Sequence, residues 1–88
     1  MTTGDQAKRR SNLAKHGIDL ADADNFEFET ALVEEDRDAE GEQRFRAIGF
    51  IRDRLHFLVY VLRDDDEVHA ISLRPANAKE RKRYAEDA

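Results

Sequence analysis

From Glu42 to Arg74 apolar and polar residues alternate in three runs broken by two short charged segments, a pattern that points to an antiparallel sheet. Residues 42–51 place Phe45, Ala47, Gly49 and Ile51 on one side and Arg44, Arg46, Ile48 and Phe50 on the other. Arg52-Asp-Arg54 reads as a turn, and residues 55–62, the most apolar run, belong at the centre of the sheet. Asp64-Asp-Asp-Glu67 makes the next turn, and residues 68–74 return as a strand whose register Pro75 breaks, because proline cannot donate to a ladder.

The flanks are helical. Asp5 is a good N-cap for a run without glycine or proline, and Gly17 is placed to close that helix in the left-handed region. Lys15 and His16 sit in its last turn, where cations complement the dipole. Asp19 then caps a shorter helix to about Phe26, with Leu20, Ala23 and Phe26 on one face. Asn77, followed three residues later by Glu80, marks the capping box of a final helix. Between these, residues 30–33 are a plausible strand fragment followed by an acidic loop. The expected architecture is α+β: two N-terminal helices, an antiparallel meander of three to four strands and a C-terminal helix, in one domain over residues 1–88.

Charge sharpens this reading. The net charge of −5 argues against a nucleic-acid partner, but the charges come in blocks. Residues 1–18, 44–63 and 68–88 are net basic at +3, +4 and +2, while residues 19–43 carry −10 and residues 64–67 carry −4. Three basic blocks converging in space would make a local positive surface, and the local field is what attracts phosphate. The acidic middle reads as a solvated loop, a face that repels RNA or a patch for a basic partner. Without cysteine there are no disulfides and no thiolate ligands, and His16, His56 and His69 show no metal-binding spacing, so no metal or other cofactor is expected. With no apolar run long enough to span a membrane, the expected location is the cytoplasm.

Four stretches resemble, in order, the signatures of the BrnT family, toxins of bacterial type II toxin–antitoxin systems. Asn12-Leu-Ala-Lys-His-Gly-Ile18 resembles its N-x-x-K-H-G-(V/I) helix end. Gly41 with Glu42-Gln-Arg-Phe-Arg-Ala-Ile-Gly49 resembles its G-E-x-R-x-x-x-(I/L)-G strand. Leu58-Val-Tyr-Val-Leu-Arg63 resembles its apolar strand ending in arginine, and Ile71-Ser-Leu-Arg-Pro-Ala-Asn-Ala-Lys-Glu-Arg-Lys-Arg-Tyr84 its C-terminal signature. The family usually opens with a short strand leading into a Trp-Asp pair. This chain has Met1-Thr-Thr-Gly-Asp5 and no tryptophan, so the first strand is expected to be shortened or absent, leaving a sheet edge for a partner to cover.

The resemblance implies a RelE-like fold, a metal-independent endoribonuclease that slows translation, and a ribbon-helix-helix antitoxin (BrnA-like). That antitoxin would neutralise the toxin, bridge two copies in a heterotetramer and supply the only contact with DNA. RNA cleavage without metal needs a base for the 2′-hydroxyl, cations for the phosphorane and an acid for the leaving 5′-oxygen. Arginine suits the middle role because its planar fork binds phosphate at two points. Arg44, Arg63 and Arg74 are the candidates, with Arg44 and Arg74 placed near one sheet face if their strands are adjacent. Glu42 and His16 are candidates for proton transfer, and Lys15, Arg81 and Tyr84 for RNA binding. Arg74→Ala is expected to abolish toxicity, and Arg46→Ala, outside the matched positions, to leave it. The alternative is an inactive toxin fold that acts only as co-repressor through its antitoxin.

Overall fold

The structure, a computed structural model, describes residues 6–87. Helix α1 (Gln6–His16) ends at Gly17, whose φ of +71° is the conformation that glycine adopts without strain; its N–H donates to the Leu13 carbonyl at 2.8 Å. Asp5, its expected cap, and the opening segment lie outside the described residues. Asp19 caps the next helix as expected, accepting from the Ala21 N–H at 3.0 Å. That helix, Leu20–Asn25, is a 3-10 helix rather than an α-helix. Its period of three suits the sequence, since Leu20, Ala23 and Phe26 are all buried.

Four strands follow in the order β1 (Leu32–Arg37), β2 (Gln43–Ile51), β3 (Arg54–Arg63) and β4 (Glu67–Pro75), antiparallel throughout. β1 corrects the reading of residues 30–41. Thr30 ends a 3-10 turn, and the acidic residues beyond Val33 form a strand instead of a loop. Charge pairing explains why: Glu34 lies opposite Arg46 and Asp36 opposite Arg44, and opposite charges across strands favour pairing. The −10 block is thus in part the electrostatic complement of the +4 block.

One sheet face is the core. Ala47, Leu58, Ala70 and Leu73 are fully buried there beneath Leu20, Ala23 and Phe26. Gly49 is required at this point because a Cβ would stand 2.7 Å from the Phe26 ring. Helix α1 lies along the outer edge of β4, held by Asn12. The buried Asn12 amide donates to the carbonyls of Leu73 (2.7 Å) and Ile18 (2.8 Å) and accepts from the Leu73 N–H at 3.0 Å. One side chain so satisfies backbone groups that an edge strand would leave open. Helix α2 (Ala78–Asp87) packs on the opposite sheet face, so helices flank the sheet on both sides. No described helix is long and apolar enough to cross a membrane.

Candidate functional site

The site is built where β4 turns into α2. Strict alternation from Ala70 would leave Arg74 on the core face. A register shift opposite Val59 and Tyr60 puts one extra residue, Ile71, into β4, and the buried pair becomes Ala70 and Leu73. This bulge moves Ser72 and Arg74 to the other face, beside Val59 and Phe57.

There the Arg74 guanidinium is fixed from two directions. It lies 4.4 Å above the Phe57 ring, and its two terminal nitrogens donate to the two Glu80 oxygens, each at 2.7 Å. Glu80 also accepts from the Asn77 N–H at 3.0 Å, while Asn77 Oδ1 accepts from the Glu80 N–H at 2.8 Å, which is the expected capping box. Burial pushes the Glu80 carboxyl up, but the hydrogen bonds from Arg74 and Asn77 outweigh it and hold the carboxyl below its ordinary range. The same ion pair raises Arg74.

Arg74, Arg46, Lys79 and Arg83 line an open groove of about 340 Å³ between α2 and the sheet, floored by Ile48 and Phe57. Two carboxylates, Glu34 and Glu80, oppose these four cations. Arg83 pairs with Glu34, and Arg46 lies 3.8 Å from Glu34 and 3.5 Å from Asp36. Cations so arranged can bond phosphate oxygens and stabilise charge that develops on them.

The sequence-derived candidates fall in several places. Arg44, Arg46 and Arg74 share the groove face, but β3 separates β2 from β4, so Arg44 and Arg74 are not on adjacent strands. By the pairing, Arg46 stands one row from Arg74 and Arg44 two rows, each row being about 7 Å along the strands. Arg44 reaches Asp38 at 3.4 Å, and its Nε is buried without an acceptor among the described residues. Arg63 stands opposite Glu67 in the ladder at the far end of β3, about 20 Å from the Arg74 row. Glu42 is exposed in the turn before β2, where its backbone bonds Asp38. Lys15 and His16 border a separate opening with Ser72 at the outer edge of β4.

Arg81 donates to the Ala76 carbonyl at 3.0 Å. Tyr84 packs edge-on to Phe50, its hydroxyl donating to the Thr30 carbonyl at 2.9 Å, so both residues seat α2. His56 and His69 do not meet, since His56 is opposite Pro75 and His69 opposite Val61 on the other face. Among the described residues no three His, Asp or Glu side chains gather as metal ligands. Sequence reasoning missed Arg46, Lys79 and Arg83. Alternation did put Arg46 beside Arg44, but the register that brings it towards Arg74 is a tertiary fact.

The last strand and the C-terminal helix of this antiparallel α+β fold thus build a groove lined by four cations and two carboxylates. Residues 5–80 match the family described as ribonuclease toxin, BrnT, of type II toxin–antitoxin systems, and the chain belongs to that family. It is similar to the Brucella abortus ribonuclease toxin BrnT, known from a 1.1 Å crystal structure, with a TM-score of 0.68 and 30% identity over 88% of this chain and 97% of that one. No curated protein sequence matches. The family implies an antitoxin as partner.

Proposed function

We propose that the chain is a single-domain, metal-independent endoribonuclease toxin that cuts RNA in the α2 groove and thereby inhibits translation in the cytoplasm. The observation that carries this reading is the Arg74 guanidinium, held flat by Phe57 and Glu80 at the mouth of a groove with four cations. In the reaction the 2′-oxygen attacks its neighbouring phosphorus, the bond to the 5′-oxygen breaks, and a 2′,3′-cyclic phosphate forms. Arg74 stabilises the phosphorane, with Arg46 and Lys79 holding the flanking phosphates. Arg44 extends the cationic track along β2, Lys15 contacts RNA outside the groove, and Arg81 seats α2, whereas Arg63, beside the acidic 64–66 turn, lies outside the RNA path. Tyr84 positions α2.

No histidine lines the groove, and its two carboxylates are ion-paired. Charge stabilisation therefore does most of the work, and solvent moves both protons: hydroxide takes the 2′ proton and water protonates the departing 5′-oxygen. Cleavage then rises steadily with pH. A bell-shaped profile centred near neutrality would instead call for a titrating side chain, and since neither His16 nor Glu42 lines the groove it would move the reaction out of it. The partner is a ribbon-helix-helix antitoxin bridging two toxins, and DNA is met only through it.

The same lack of a groove base favours a second reading, an inactive phosphate-binding module that acts as co-repressor. Expression of the lone chain in bacteria separates the two. Growth arrest relieved by the neighbouring reading frame, with purified protein cutting RNA in excess EDTA, supports the toxin. Harmless expression of folded protein supports the module, and cleavage restored only by a divalent ion rules out the metal-independent route.

A further inference from the structure

The core face of the sheet is not covered along its whole length. Toward the end of β3 Leu62 is 43% exposed and Phe28, Phe45 and Val68 are only partly buried, while Val33, near the start of β1 and two rows away, is 42% exposed. Phe28, Phe45, Leu62 and Val68 gather around Tyr60. Tyr60 stacks on Phe45 at 5.2 Å and meets Phe28 edge-on at 5.4 Å, while Leu62 pairs with Val68 in the next row. An apolar patch of this kind on a sheet face is a place where another chain gains by burial.

Its surroundings select the partner. β1 and β3 run toward the same end, so the connections at residues 38–42 and 64–66 both lie there. Together they contain six acidic and no basic side chains. Glu29, beside Phe28, and Glu35, on the same face of β1 as Val33, are both exposed at the patch. RNA is repelled from such a rim, and so is a second copy, which would bring the same charges.

We infer that this end of the core face is the anchoring surface for the antitoxin, and that it takes a segment whose apolar side chains are flanked by lysine and arginine. The inference rests on the family's antitoxin partner and adds where that partner binds. The surface is on the opposite face from the RNA groove. Antitoxin affinity and phosphate chemistry are therefore carried by different residues, and affinity falls as salt rises.

The test uses the full chain and the product of the adjacent reading frame, co-purified and measured by calorimetry. Leu62→Ser and the double variant Glu29→Lys/Glu35→Lys change exposed positions, and each is checked for an unchanged melting curve. Each is expected to weaken binding tenfold or more, while Arg46→Ala in the groove stays within about twofold of wild type. Amide exchange on the unmutated complex supplies a second readout, with protection expected in β1 and around residues 62–68. Wild-type affinity in both face variants, with loss in Arg46→Ala, would place the antitoxin in the groove and overturn the inference. So would failure of the wild-type chain to bind that product at all, or a lone chain that dimerises until Leu62→Ser makes it monomeric. None of these outcomes depends on whether the lone chain cuts RNA.

Discussion

The β4–α2 corner and the β1–β2 edge both set arginine against carboxylate, yet they do so for different ends. At the corner, Arg74 and Glu80 meet through two parallel bonds of 2.7 Å, with side chains 29% and 15% exposed. At the edge, Arg46 reaches Glu34 and Asp36 only at 3.8 and 3.5 Å and remains 46% exposed. The first arrangement fixes one guanidinium in one plane. The second neutralises a strand and leaves its cation free to move, as exposed pairs generally do. Binding charge to phosphate needs only the second kind, whereas stabilising a transition state needs the first.

Removing the carboxylate at the corner breaks the comparison most sharply. Glu80→Gln keeps the capping box, because an amide oxygen still accepts from the Asn77 N–H, but it reduces the two-point ion pair with Arg74 to one bond to a neutral amide and loosens the guanidinium. The turnover number should fall about tenfold, roughly 1.4 kcal/mol, with KM unchanged and helix content retained, as single-turnover kinetics and circular dichroism would report. A rise in activity would mean that Glu80 competes with phosphate for Arg74 rather than positioning it. At the edge, Arg46→Ala should raise KM a few-fold and leave the turnover number nearly alone. An effect of that size leaves Arg46→Ala toxic, as expected from its place outside the matched positions. Equal losses in both parameters would make Arg46 a partner of Arg74 in the transition state.

A third pair gives the smallest effect. Arg9 and Asp19 form a two-point pair at 2.9 and 2.8 Å on an open surface. Hydrogen bonds from Arg9 and from the Ala21 N–H hold the Asp19 carboxyl at about 2, below its ordinary value of 3.8. A carboxyl lowered in the folded state stabilises above its unfolded pKa and loses that contribution as pH falls toward the folded one. Denaturant midpoints should therefore decline between about pH 4 and pH 2, and Asp19→Asn should flatten that decline without altering cleavage. An unchanged slope would assign the acid sensitivity to other carboxyls.

Much of this molecule could be read before its structure. The meander from β2 to β4, the Gly17 and Asp19 caps and the Asn77–Glu80 box follow from local rules: alternation, turn chemistry and capping. The parts that escaped depend on partners far along the chain. β1 reads as an acidic loop until Glu34 and Asp36 are seen opposite Arg46 and Arg44. Arg74 lies on the groove face only because of a one-residue bulge that no periodicity reveals. Asn12 belongs to the first signature, but its task of closing the Leu73 backbone spans 61 residues. The arginines at the ends of β3 and β4 look alike in sequence, yet only Arg74 reaches a helix that can hold it.

The most direct test is to compare purified wild type, Arg74→Ala and Arg74→Lys for RNA cleavage in EDTA, with melting temperatures measured alongside. If a fixed, planar guanidinium carries the chemistry, both variants should lose on the order of a hundredfold or more in rate. Lysine should rescue little, because a point charge cannot make the paired contact. Both variants should melt within a few degrees of wild type. Wild-type cleavage by Arg74→Lys, or a loss of rate that only follows a loss of folded protein, would contradict the account and make Arg74 a structural residue.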